Sequence, residues 1–591
     1  MKKIYIIGMV LFIGVSSCKK ATFLDDKSTT ALTDDAVFTD STRTMAFVTR
    51  MYEEIGFNFY KGRWEGSGTT EQATDDGEYT LGSTARRTVG LWAGVYNPVN
   101  FMHGDAWTLP WTNIRRANLL LSKLPTTPLS EGLQKRLAGE ARFMRAYFYT
   151  YLLNNFGGVP LIGDKVFGID DIIDVPRNTY EECVTYVSKE FDEAAALLPP
   201  ANTPYPLGYE DRDYGRVTKG ACMAVKARLL LFAASPLFNG GTIAAATPAN
   251  KPLAGYPAYN VSRWQAAADA ANAVIQSNNY ALNVDNTTAP GFGFYKVFLK
   301  RVNPEYIVFV NRVPNRELEA HYNPPSRGGA RNTQPTQQIV DCFPMKNGLQ
   351  ILNPDGTVNI ASGYDPNNPY VNRDPRFDYT IIYNNSLYFS TTTNNRAPVL
   401  TYVGAPGNDG IGSNTRTGYY CRKMCDADIS SNSSFQTERG WPLLRYAEIL
   451  LDYAEAINET GQTQLAYPKL IELRSRAGIT AGTNGLYGLK ANMTVAEMRE
   501  VVRNERHIEL AYEADSRWDD IRRWKIAEAV NNGYNRAMTI TRNATTGVLT
   551  YTRTFTNPTD RLHVFRPEMH LFPIPNDELR KMPAMIQNPG W

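Results

Sequence analysis

The chain of 591 residues predicts a mainly α protein, in which helix pairs form a scaffold and a loop-rich insertion contains short strands. Three observations carry this. Helical periodicity runs through roughly 40–280 and 441–531. Between 281 and 440 it gives way to Asn, Gly, Pro and Thr punctuating short β-like runs. Connections between consecutive helices are short, so neighbours must fold back on one another as helix hairpins do in stacked helical scaffolds. A tail at 532–591 follows, and one domain is expected to span 18–591.

At the start, Lys2 and Lys3 precede an apolar run from Ile4 to Val15, which ends in Ser16, Ser17 and Cys18. The run is too short to span a bilayer, and Lys19, Lys20, Asp25 and Asp26 follow it, so 1–17 reads as an export signal. Its VSSC ending resembles a bacterial lipoprotein signal, in which Cys18 becomes the lipid-bearing N-terminus and anchors the protein to a membrane.

Residues 111–124 form a short helix closed by Pro125. From Ser130 a longer helix runs through RAYFYTYLLNNF, where Tyr147, Phe148, Tyr151 and Leu152 make a broad apolar stripe that suits core packing better than a cofactor. Gly157 and Gly158 end it, and Pro160 prevents its resumption. Thr179 and Glu182 have the spacing of a capping box; Tyr180, Val184, Val187, Phe191, Ala194 and Leu198 then mark one face until Pro199 and Pro200. Helices are also predicted at 218–234 and 262–276. They show no strict period, so a repeat architecture rests on element order.

In the insertion the strand-like runs are YIVFV from Tyr306, YTIIY from Tyr379 and VLTYV from Val399. Long loop-rich segments inside a helical frame commonly carry binding residues. Helices resume at 442–461, where Leu443, Ala447, Leu450, Ala454 and Ile457 form one stripe and Arg445, Glu448, Asp452, Glu455 and Glu459 the opposite one. The two alanines allow a neighbouring helix close, and Gly461 can cap the C-terminus. A second helix at 465–477 and a capping box at Thr494 and Glu497 complete the block. Glu505 falls on the stripe of Met498, Val501, Ile508 and Tyr512, so it must be paired in the core; Arg517, Arg522 and Arg523 are the candidate partners.

Composition excludes several classes. The 62 Lys and Arg balance 59 Asp and Glu, a net charge of +3, with no basic face for nucleic acid. There is no phosphate loop, G-x-S-x-G elbow or H-E-x-x-H helix. Beyond Cys18, Cys183, Cys222, Cys342, Cys421 and Cys425 make no disulfide framework, and Cys421 and Cys425 can bridge only across a turn. No metal site or cofactor is expected. The acidic run Asp75, Asp76 and Glu78 is the place to look for a glycosidase pair, but it reads better as solvated turn residues.

With VSSC, RAYFYTYLLNNFGGVPL, RDPRF (373–377), TGYYCRK from Thr417, LLRYAEILLDYAEA from Leu443, NERHIELAYEADSRWDDIRRW from Asn504, FPIPNDEL and QNPGW in order, the chain resembles the SusD/RagB family of outer-membrane nutrient-binding lipoproteins. The resemblance implies tetratricopeptide-like helix pairs supporting a loop-rich ligand face. It also implies a glycan or sometimes a peptide as ligand, no catalysis, and a SusC-like TonB-dependent transporter as partner. No binding residue carries over by motif, because ligand contacts vary within the family.

Chemistry must therefore nominate the site. Sugars present apolar C–H faces and hydroxyl edges, so aromatic planes beside amides and guanidinium groups are wanted. Two irregular stretches offer them: Trp64, Arg86, Trp92, Tyr96, Asn97 and Asn100 in the first, and His321, Tyr322, Asn323 and Arg327 in the second.

Overall fold

The structure, a computed structural model, describes residues 34–57, 68–80, 82, 86–101, 103, 105–168, 170–200, 213–430, 432–556 and 561–591. Cys18 and Trp64 lie outside the described residues. Among those described, no helix is long and apolar enough to cross a membrane.

The N-terminal scaffold comprises α1 (Asp34–Phe38), α2 (Ser41–Glu54), α3 (Arg87–Trp92), α4 (Asp105–Lys123), α5 (Glu131–Phe156), α6 (Tyr180–Leu197), α7 (Lys219–Ala234) and α8 (Ser262–Gln276). From α4 to α8 each long helix packs on the next in sequence. Local chemistry sets the ends. Thr179 and Glu182 form the predicted capping box on α6, and α5 stops at Gly157, whose φ is 75°. A side chain there would meet backbone, since a Cβ on Gly157 would lie 2.4 Å from the Leu253 carbonyl oxygen. Helix α4 begins earlier than Trp111, and Pro110 lies within it.

The insertion folds as short pieces: β2 (Tyr306–Asn311), α9 (Glu317–Tyr322), β3 (Thr333–Pro335), α10 (Gln337–Cys342), α11 (Pro375–Thr380), β4 (Ile381–Ile382), β5 (Leu387–Ser390), β6 (Asn395–Pro398), β7 (Tyr420–Cys421) and β8 (Gly440–Arg445). β1 (Gly77–Tyr79) lies upstream in the N-terminal half. Among the described residues the strands pair in two-stranded antiparallel ladders: β1–β3, β2–β8, β4–β7, β5–β6 and β9–β10, the last joining Arg536–Arg542 to Leu549–Phe555. Two expected strands move. Tyr379 and Thr380 belong to α11, and 399–403 is irregular beyond β6.

The C-terminal scaffold is α12 (Tyr446–Glu459), α13 (Tyr467–Arg476), α14 (Val495–Glu509) and α15 (Ser516–Arg523), with a final short helix α16 (Asn576–Lys581). The helix expected from Pro442 begins at Tyr446, because 440–445 pairs with β2 and is buried along its whole length. Helix α12 packs on α8, and Ala447 and Ala454 on its apolar stripe are fully buried.

An amphipathic helix ordinarily turns its charged side to water; α12 does not. Glu448, Asp452 and Glu455 are buried. Arg506 reaches Glu448 at 3.1 Å, Asp452 at 2.6 Å and Asp520 at 2.8 Å, while Arg523 meets Glu455 at 2.6 Å. Glu505 is buried as expected, but its partners are Arg376 at 2.7 Å and Arg474 at 2.8 Å. Arg517, Arg522 and Arg523 are engaged elsewhere, with Asp75, Asp519 and Glu455. Cys421 and Cys425 are buried thiols with no disulfide between them.

Candidate ligand face

Glycine at 77 starts β1, which runs antiparallel to β3 with Gly77 opposite Pro335, Glu78 opposite Gln334 and Tyr79 opposite Thr333. This small ladder joins the two stretches that the sequence nominated. Tyr322 Oη donates to Glu71 Oε1 at 3.1 Å, and the Thr336 N–H donates to the Asp76 carbonyl at 3.0 Å.

Beneath the ladder the acidic run is buried rather than solvated, which corrects the turn reading. Asp75 accepts from Arg517 Nε at 2.8 Å and Nη2 at 2.6 Å, and Asp76 pairs with His507. Glu78 Oε1 accepts from Asn535 Nδ2 at 3.0 Å and faces His563 Nε2 at 3.2 Å. Burial and Arg517 act to lower the His507 pKa, but the charge and hydrogen bond of Asp76, with Cys342, raise it to about 10. Asp75, Asp76 and His507 converge within 4.8 Å, a spacing a cation can use. The donor set does not fit one, because Arg517 and a protonated His507 already supply the positive charge.

The nominated aromatic residues among those described do not offer open planes. Trp92 is 3% exposed and stacks on His563, with centroids 4.8 Å apart and planes 16° from parallel. Tyr96 packs among Phe101, Phe572 and Trp591, and burial raises its phenol pKa. Tyr322 is 1% exposed. His321 is buried at 3.2 Å from Asn332 Nδ2. Asn323 is buried, and its amide atoms have no partner among the described residues. Arg327 donates to the Ala397 and Pro398 carbonyls at 2.9 and 3.2 Å, which ties β6 down. Asn97 and Asn100 are exposed, but Asn97 Oδ1 accepts from the Val99 and Asn100 N–H groups at 2.9 Å and closes a turn. Aromatic and amide residues mixed along a loop look the same whether they line a wet site or a polar core.

Among the described nominees, Arg86 alone stands half-exposed at the ladder, where its charge opposes the burial that raises the Tyr79 pKa. The other rim groups were missed: Arg331, Asn332, Asn414 and Arg416, all half-buried. Gln334 arranges them. Its Nε2 donates to the Arg331 and Asn414 carbonyls at 3.3 and 3.2 Å, and its Oε1 accepts from the Arg416 N–H at 2.8 Å. Arg331 has a φ of 52°, a left-handed conformation uncommon for a side-chain-bearing residue and often found at functional sites. The only local signal was the repetition of Arg and Asn in 327–332 and 414–416. Guanidinium and amide groups at the edge of a fixed ladder suit hydroxyl-rich ligands.

Helix pairs stacked in sequence, with a loop-built face carried on them, define a helical-scaffold protein. Comparison with known proteins makes this specific. The model of the SusD family matches residues 262–591, and a model described as "Starch-binding associating with outer membrane" matches residues 22–231. The chain belongs to the SusD family. SusD-like protein P38 of Formosa agariphila is 22% identical over 72% of this chain and 73% of its own length. SusD-like protein P2 of the same organism is 33% identical over 105 residues, 18% of this chain and only 21% of that relative. Among solved structures, a SusD-like protein from Bacteroides fragilis superposes with a TM-score of 0.74 at 24% identity, covering 95% of this chain and 99% of that one. A SusD-like carbohydrate-binding protein from the same organism gives 0.70 at 23% identity, covering 93% and 99%. At these identities the superpositions establish the fold.

Proposed function

We propose that this protein is a cell-surface lipoprotein that binds an oligosaccharide or polysaccharide and delivers it to a SusC-like TonB-dependent outer-membrane transporter. The observation that carries the reading is the pair of family matches, which together span most of the chain and include a starch-binding, outer-membrane-associated description. Binding falls to the rim of the β1–β3 ladder, with Arg86, Arg331, Asn332 and Arg416 as contacts, and the chain acts without catalysis. In support, Asp75, Asp76 and Glu78 are each committed to buried partners rather than standing as two carboxyl groups across a bond. Lipidation at Cys18 would hold the protein on the membrane.

The test is a glycan panel, with product analysis, run on the secreted chain carrying Cys18→Ala. Retention of a glycan without cleavage, weakened about tenfold by Arg331→Ala or Arg416→Ala, is expected; each lost charged hydrogen bond is worth about 1.5 kcal/mol. Cleavage of the glycan, or retention unaffected by both variants, would overturn the assignment. A hydrophobic peptide retained in place of any glycan would transfer the scaffold to peptide uptake.

A further inference from the structure

A cleft of about 710 Å³ lies between α4, the loop after α5 and the C-terminal helix α16, and shares no lining residue with the ladder. Trp107, Trp111, Ile114, Arg115 and Asn118 come from one face of α4, Ile162 and Phe167 from the loop, and Met582 from the end of the chain. Its walls are pre-formed. Asn118 Nδ2 donates to the Gly163 and Lys165 carbonyls at 2.9 Å, and Arg145 Nη1 fixes Asn118 Oδ1 at 2.8 Å and Asp164 Oδ1 at 2.6 Å.

The charges at its mouth lean positive, with Arg115 and Lys165 set against one carboxylate, Asp171, which accepts from the Gly168 N–H at 2.9 Å. Lys581 is neutralised by Glu578 at 2.7 Å. Arg115 donates to the Phe167 carbonyl at 2.5 Å, and Lys165 Nζ sits 4.2 Å from the Phe167 ring centroid. Neither cation has a carboxylate partner among the described residues, although this chain pairs most of its arginines. The Trp111 indole nitrogen is buried with no acceptor among the described residues. An apolar, aromatic cleft of ligand size with two cations outside any direct ion pair and a spare donor has the chemistry for a small amphipathic anion.

We infer that this cleft is a second binding site, separate from the glycan face, for an amphipathic carboxylate: an apolar body against Trp111, Ile162 and Phe167, with its acid group at Arg115 and Lys165. A sugar fits the walls poorly, because they offer few partners for a ring of hydroxyls. An acyl chain and a short apolar peptide with a free C-terminus share the required chemistry.

Calorimetric titration of the secreted chain carrying Cys18→Ala separates the outcomes, with dodecanoate below its critical micelle concentration as one arm, acetyl-Phe-Leu as the other, and their methyl esters as neutral controls. At least one acid is expected to bind tenfold or more tightly than its ester, and the arm that does so names the source. In the double variant Arg115→Gln, Lys165→Gln the advantage of acid over ester should vanish. Both side chains are exposed, so the fold is retained. Ile162→Trp, which fills the cleft, should abolish binding of acid and ester together. No binding by either acid, equal binding of acid and ester, or an acid preference that survives the double variant would overturn the inference.

Discussion

Arg376 and Glu505 meet at 2.7 Å with neither side chain exposed, although one belongs to the insertion and the other to the helical scaffold. The contact is part of a larger buried group. Arg376 also meets Glu509 at 2.8 Å and Asp374 at 2.7 Å, and Arg445 joins Glu509 at 2.8 Å, Glu305 at 3.0 Å and Glu513 at 2.7 Å. Burial tends to raise the Glu505 and Glu509 pKa values, but the surrounding arginines outweigh it and hold both groups ionised. Such clusters add less stability than their contacts suggest, yet removing one member strands the others.

Glu505→Ala should therefore lower stability by about 3–5 kcal/mol, the cost of leaving buried arginine charge uncompensated. Urea midpoints measure the loss, and hydrogen exchange should show it first around α11. A stability loss below about 1 kcal/mol would mean that the pair is not desolvated as the structure has it.

His507 should make stability fall as the solution becomes alkaline. Its folded pKa is raised to about 10 against an ordinary value near 6.5, so the folded state holds a proton that the unfolded state has released between those limits. The contribution is complete below about pH 6.5 and is lost as pH rises through about 10. Compared by urea midpoint, the parent should exceed His507→Gln most at the acid end, with the gap closing toward pH 10; a constant gap would count against a charged His507–Asp76 pair.

Trp92→Ala should cost about 3–5 kcal/mol of stability, as large aromatic truncations in a packed core do. It should leave glycan affinity per folded molecule unchanged, since the ring faces His563 and not solvent. A selective loss of affinity with an unmoved melting temperature would reopen Trp92 as a ligand plane.

Gly157→Ala should destabilise the end of α5. The residue combines a φ of 75° with a Cβ position 2.4 Å from a backbone oxygen, so strain of at least about 1–3 kcal/mol is expected. Gly461 makes the internal control: its φ is 86°, but a Cβ there meets nothing within 4 Å, and Gly461→Ala should cost less.

Cys18→Ala is expected to move the protein from the membrane fraction to the soluble one without unfolding it, because the anticipated anchor is covalent lipid. Persistence in washed membranes would show a different attachment.

Much of the scaffold was legible because its signals are local. The Thr179–Glu182 box and the 262–276 periodicity mark helices whose boundaries need no distant partner to define them. The strand at 440–445 was not legible, because WPLLR continues the helical phase of α12 and only β2 decides against it. The same limit hid the fate of charge. Asp75 and Asp76 read as turn residues until Arg517 and His507 arrive from the far end of the chain. Of the proposed ligand face, Arg86 was nominated from the sequence as a guanidinium beside aromatic residues. Arg331 and Arg416 become neighbours only through Gln334, which no spacing in the sequence announces.

The β2–β8 ladder imposes a schedule on folding. Tyr306 to Asn311 stays an unmated edge until Gly440 to Arg445 has been made and delivered, with residues 312–439 between them. Closing so wide a loop costs little more at equilibrium than closing a short one, but long-range pairing is slow to find. Until then the half-made chain would present the apolar run YIVFV without its mate, a window in which edge-to-edge pairing with another chain competes with folding.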